Sequence, residues 1–227
     1  ASARGGGGGA FVQLLEAEGA EVEHKVSVLE LLREMVKSQR VLEGCPSGME
    51  QALNATAQAI RVEGDTVVKE AALAVFGVAV CSSRDGVERL SKLSTSSPPL
   101  TQYLLGSLGI LILSEGNLLA APGGGYGGGD VQRRVRVFRS AVQLLGSVGL
   151  SSQGTGITGC TEIWYPLVKM LTLMEKGELH PDLADLERLA VRILAALCDD
   201  DQDPGGATQC HGALSPSSGR IEESPSQ

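Results

Sequence analysis

Apolar residues recur at three- and four-residue spacing along most of the chain, the period of helices that each bury one face. Between Glu21 and Glu43, the spacing of Val28, Leu31, Leu32, Met35 and Leu42 predicts one long helix, ended by Gly44 and Pro46. Ala10 to Glu18 predicts a short helix before it. Ser47 and Glu50 have the spacing of a capping box, opening a helix that buries Met49, Leu53, Ala57 and Ile60 and closes at Gly64. Asp65 is placed to cap the next helix, which runs to about Cys81. Its stretch Ala71 to Val80 is apolar on every side, which predicts enclosure by neighbours.

The second half repeats the pattern. Asp85 precedes a short helix with Val87, Leu90 and Leu93 inward, and Pro98-Pro99 opens a helix carrying Leu104, Leu105, Leu108, Ile110, Leu111, Ile112 and Leu113. Asp130 reads as the cap of a helix with two apolar stripes, Val131/Val135/Phe138/Val142/Leu145 and Val137/Ala141/Leu144/Val148. Thr161 to Lys176 is a further helix, and Pro181 starts the last, which ends near Cys198. No run alternates with period two and no turn dipeptide joins two strand-like runs, so the predicted fold class is all-α.

Punctuation sets the expected organisation. Residues 1–9 end in a glycine run and read as disordered, residues 10–198 as the helical domain, and residues 123–129 as a Gly-rich loop inserted in it. Residues 199–227 are acidic and rich in Pro, Ser and Gly, and are expected to be a disordered tail.

Composition narrows the chemistry. The 227 residues carry a net charge of −8 and only 3% aromatic residues. With no large basic field and few stacking side chains, nucleic acid is not an expected partner. The tail holds Asp199, Asp200, Asp201, Asp203, Glu222 and Glu223 against Arg220 alone, so the helical body is closer to neutral than the whole. The five cysteines form no CxxC pair and no zinc-like cluster with histidine, which points to a reducing, intracellular and cytoplasmic setting. Cys81 and Cys198 each end an apolar run and read as buried thiols. The longest uncharged stretch has an apolar core only from Leu104 to Leu113, too short for a membrane span, so a buried helix is expected.

Neither glycine run contains a phosphate-loop motif, so no cofactor or small-molecule ligand is expected. His24, His180 and His211 are far apart, and Cys210 beside His211 lies in the tail, where nothing would orient a catalytic pair. Catalytic and metal-ligating residues are therefore not assigned. Arg133, Arg134, Arg136 and Arg139 form the one basic cluster; the first, third and fourth fall on the polar side of their helix, while Arg134 points into the apolar arc. Arg133, Arg136 and Arg139 read first as a solvated or ion-paired face, and otherwise as candidates for an acidic partner or for the acidic tail; Trp164 and Tyr165 read first as helical core residues, and otherwise as aromatic anchors.

Three helices share a small residue, four mostly large ones and a second small residue: Ala72 to Gly77, Ala141 to Gly146 and Ala190 to Ala195. Ser107 to Ile112 is a poorer copy. Gly86 to Leu93 and Tyr165 to Leu171 resemble the last helix of an armadillo repeat, and Asp65 to Phe76 and Asp185 to Leu197 resemble the second. The resemblance covers roughly residues 25–198 and is to the armadillo/HEAT superfamily, whose units run about 40–47 residues. It implies a right-handed α-solenoid of about four irregular repeats acting as a non-enzymatic scaffold or adaptor for other proteins. The Trp and Asn ladder of importin-like armadillo domains is missing: the matching positions are Leu73 and Gly77, or Val191 and Ala195. The nuclear-signal groove is therefore not implied. Because the chain opens at Ala1, an alternative is a helical fragment of a larger protein, regulating or completing an enzyme or assembly.

Overall fold

The computed structural model describes residues 6–17, 19–81, 85–94, 99–120, 128–151 and 161–199. Among them every regular element is helical, so the protein is all-α. The helices are α1 (Gly6–Glu16), α2 (Val22–Val36), α3 (Gln39–Gly44), α4 (Pro46–Val62), α5 (Thr66–Cys81), α6 (Gly86–Leu93), α7 (Leu100–Ala120), α8 (Gly128–Gly149), α9 (Thr161–Glu175) and α10 (Glu187–Asp199). A 3-10 helix, Pro181–Leu186, leads into α10.

The packing order follows a rule. α5 lies between α2 and α8, and α8 also meets α10; α4 lies between α1 and α7, and α7 also meets α9. Members of the two successions pair as α1 with α2, α4 with α5, α7 with α8 and α9 with α10. One continuous core results, with Phe76, Phe138, Leu53, Ile60, Leu104 and Leu108 fully enclosed. The predicted inward sets of α4 and α8 hold: Met49, Leu53, Ala57 and Ile60 are buried, and so is every member of both α8 stripes except the half-buried Val131. Along α5 the enclosure predicted for Ala71 to Val80 is nearly complete, with only Ala71, Ala74, Gly77 and Val78 half-buried.

Several local expectations are corrected. The helix predicted from Glu21 to Glu43 is broken: Ser38 is extended, with φ −93° and ψ 110°, and separates α2 from α3. The inward stripe of α2 is Leu29, Leu32 and Val36, which leaves Leu31 56% exposed. The capping box does not form, because α4 starts two residues earlier, at Pro46 with Cys45 at the cap position, and Glu50 turns into the interior. Asp130 is not a cap but lies inside the first turn of α8. Asp65 does cap α5, its Oδ1 accepting from the Val67 N–H at 2.7 Å. Cys81 and Cys198 are exposed, not buried, as is Cys45. Cys81 ends α5 and Cys198 stands in the last turn of α10, each on the outward side, one position beyond a buried residue.

The domain boundaries shift at two glycine runs. Gly6 to Gly9 belong to α1 although glycine disfavours helix, since Phe11, Val12 and Leu15 on the same helix pack onto the core. Gly128 and Gly129 likewise begin α8, so only residues 123–127 of the expected loop remain, and these lie outside the described residues. Residues 1–5 and the tail 200–227 also lie outside them. Finally, α7 has 21 residues and not the ten of its apolar core, so by length and composition it is long enough to cross a membrane. More than half of that stretch is covered by the surrounding helices.

Candidate functional site

Two places gather charge, and they use it differently. The first lies where α5, α7 and α8 meet. Glu115 closes the apolar run of α7 and is wholly buried. Its Oε1 accepts from Lys69 Nζ on α5 at 2.7 Å and its Oε2 from Arg134 on α8 at 2.8 Å. Arg134 also donates to Asp130, one turn earlier, at 3.0 Å. Burial works against the charged guanidinium of Arg134, but the hydrogen bonds to Asp130 and Glu115 outweigh it and raise its pKa above the usual arginine value. Two acids face two bases, so the seam is formally neutral and each charge has a partner. An arrangement of this kind fixes which helix meets which, because any other register would strand a buried charge. The sequence had placed Arg134 in the apolar arc; the acid that receives it, Glu115, was missed. A lone carboxylate beside an apolar run, with one lysine inside an apolar helix, was the available signal.

The candidate arginines continue this pattern outward. Arg136 donates to Glu70 on α5 at 3.0 Å, and Arg133 stands 3.6 Å from the same carboxylate. Arg139 reaches the 3-10 helix, donating to the Asp185 carboxylate and the Asp182 carbonyl. Each of the three therefore meets an acid of the folded domain itself.

The second place is an open groove of about 780 Å³ between the end of α9 and the start of α10. Leu171, Met174, Leu179, Pro181, Ala184 and Val191 line it with apolar surface. Glu175 and Glu187 also line it, with His180 and Gly177, and among the described residues no lysine or arginine does. Neither acid has an ion pair among the described residues. The turn beneath is fixed by Gly177 at φ +67°, a left-handed conformation that suits glycine, and by the Glu178 N–H donating to the Leu173 carbonyl at 2.9 Å. His180 caps the 3-10 helix, its Nδ1 accepting from the Asp182 N–H at 3.3 Å.

The two aromatic candidates lie on the same helix but not on one stripe. Successive residues of an α-helix stand about 100° apart. Trp164, Val168, Leu171 and Glu175 share a stripe that runs into the groove, and Tyr165 lies off it. Trp164 is 40% and Tyr165 63% exposed. Thus Trp164 stands on the same helical stripe as the lining residues Leu171 and Glu175 without itself lining the groove, whereas the three arginines stand on α8, engaged by their own chain. A third concavity, between α3 and α6, is walled by Glu43, Asp85, Glu88, Arg89 and Lys92, charges of both signs, with Glu88 paired to Lys92 at 2.5 Å.

Compared with known proteins, the chain matches no protein family, no curated protein and no solved structure.

Proposed function

We propose that the protein is a non-enzymatic interaction scaffold or adaptor whose helices form a short armadillo/HEAT-type right-handed solenoid. The observation that carries the reading is the packing order: α2, α5, α8, α10 in one succession, α1, α4, α7, α9 in another, each rung a helix pair. Such a stack gives every unit neighbours on two sides only, and leaves a long surface for other proteins. The repeated small residues support it. Ala72, Ala141 and Ala190 are all buried, and all three lie on α5, α8 and α10, members of one succession. Gly146 admits Leu189 of α10, whose Cδ1 stands 3.0 Å from where a Cβ would be.

On this reading the protein binds other proteins in the cytoplasm, without a cofactor, small molecule, nucleic acid or membrane span. Deleting residues 152–227 removes the last rung. A solenoid keeps a cooperative helical melt for the remaining rungs, read by circular dichroism; loss of all cooperative melting overturns the architecture. Affinity capture with the full chain then yields a partner released by surface substitutions. Turnover by the purified chain, lost on one polar-to-Ala change, would overturn the non-enzymatic reading.

A second reading, a regulatory or structural segment of a larger assembly, is favoured by where apolar surface is left open. Leu14, Val22 and Leu31 on the first rung, and Trp164, Tyr165, Val168 and Val191 on the last, are exposed, against Val62, Ile110 and Leu118 on the middle rungs.

A further inference from the structure

We propose that the groove between α9 and α10 binds an amphipathic helix of a partner protein, with a basic rim. The inference deepens the scaffold reading and rests on it. Two observations converge on this occupant. First, the open face is a stripe and not scattered residues: Trp164, Val168 and Leu171 descend α9 at helical spacing, with Val191 opposite on α10. A helix laid into such a valley presents its own apolar residues at the matching three- and four-residue spacing. Second, both charged side chains on the lining are acids, Glu175 and Glu187, and neither has an ion pair among the described residues. Near the α5/α7/α8 seam, acids are met by arginine or lysine from the same chain; here, among the described residues, the lining supplies no cation, which leaves the two acids open to cations of a partner.

The sign of the charge also argues against the chain's own following residues as occupant. Asp199, Asp200, Asp201 and Asp203 carry the same charge as the rim.

The test uses the full chain and two fluorescein-labelled peptides of about 18 residues, five helical turns. Both have the same leucine stripe; one has lysine and the other glutamate on the flanks. Fluorescence anisotropy is expected to show the lysine peptide binding at least about tenfold tighter, a preference that weakens with salt. The double variant Glu175→Lys/Glu187→Lys is expected to reverse the preference. Val191→Glu is expected to abolish binding, whereas Leu31→Glu, at an exposed position on α2, leaves it unchanged. Circular dichroism of each variant checks that the fold is retained.

Equal affinity for both peptides, or equal loss in both single variants, overturns the proposal. So does concentration-dependent self-association, or binding to phosphatidylserine vesicles, that Val191→Glu removes, since a second copy or a membrane would then occupy the groove. The scaffold reading is judged separately. A captured partner insensitive to Val191→Glu, with neither peptide bound, sinks the groove alone. Selective peptide binding without any captured partner leaves the groove standing and sinks the scaffold.

Discussion

The middle of the molecule and its last helix pair both contain acids beside apolar surface, yet the acids do opposite things. At the α5/α7/α8 junction Glu115 is enclosed and held by Lys69 and Arg134. At the α9/α10 groove Glu175 and Glu187 face solvent without an ion pair among the described residues. The difference comes from position in the packing order. A helix between two neighbours must settle its charges with them or leave one stranded at high cost, whereas a helix at the end of a succession has water on one side. Charge in the middle thus ties helices together, whereas the two acids of the last pair stand in solvent.

The comparison breaks most sharply at Glu115. Glu115→Ala leaves Lys69 buried without its acceptor, and chemical denaturation should show a loss of about 3–5 kcal/mol. The variant Lys69→Met/Glu115→Leu should recover most of that loss, with Arg134 retaining Asp130. A loss below about 1 kcal/mol for Glu115→Ala would mean that the seam is wet and that middle and end do not differ.

Next in size is Gly86, at the corner between α5 and α6. A Cβ there would lie 2.1 Å from the Val80 carbonyl oxygen, a backbone atom that cannot swing away. Gly86→Ala is expected to cost about 1–3 kcal/mol by the same measurement. At the start of α5, Asp65→Ala should remove the cap on Val67 and cost about 1 kcal/mol. Smaller still is Arg136→Ala, which breaks a half-exposed pair with Glu70 and should change stability by about 0.2–1 kcal/mol. Val191→Glu, at the open end, should stay within about 0.5 kcal/mol of the parent; a larger loss would show that the end face is structural.

The smallest expected effect tests a charge outside both regions. The hydrogen bond from Lys37 holds the Glu34 carboxyl below the usual carboxylate range, with Arg33 adding to the attraction. A lowered folded pKa stabilises the protein above the unfolded value, and that contribution is lost as pH falls through the folded value. Glu34 is fully exposed, so solvent screens it. Thermal melts of the parent and Glu34→Gln should differ slightly at neutral pH and converge below the carboxylate range. A gap that widens on acidification would contradict the sign.

Much of this was legible in the residues and some was not. The helices over 46–62, 66–81 and 161–175 and the inward residues of α4, α5 and α8 were readable from spacing, because burial of an apolar stripe dominates where it is wide. The capping box at Ser47 and the cap at Asp130 failed because cap preferences are worth only about 1 kcal/mol and packing shifts a helix start past them. Leu31 was assigned inward because spacing gives a stripe but not the rotation that the neighbouring helix selects. Among the groove residues, Glu175 and Glu187 were not singled out by spacing, and Val191 was read only as part of the repeated pattern from Ala190 to Ala195.

The sequence by itself determined that the chain is helical and which faces are apolar, since both depend on residues within one or two turns of each other. Only the tertiary structure decided what Arg133, Arg136 and Arg139 touch, that Glu115 joins three helices, and that two acids at the last pair keep no ion partner among the described residues. Those facts depend on residues tens of positions apart, brought within hydrogen-bond reach or kept from it by the order in which helices pack.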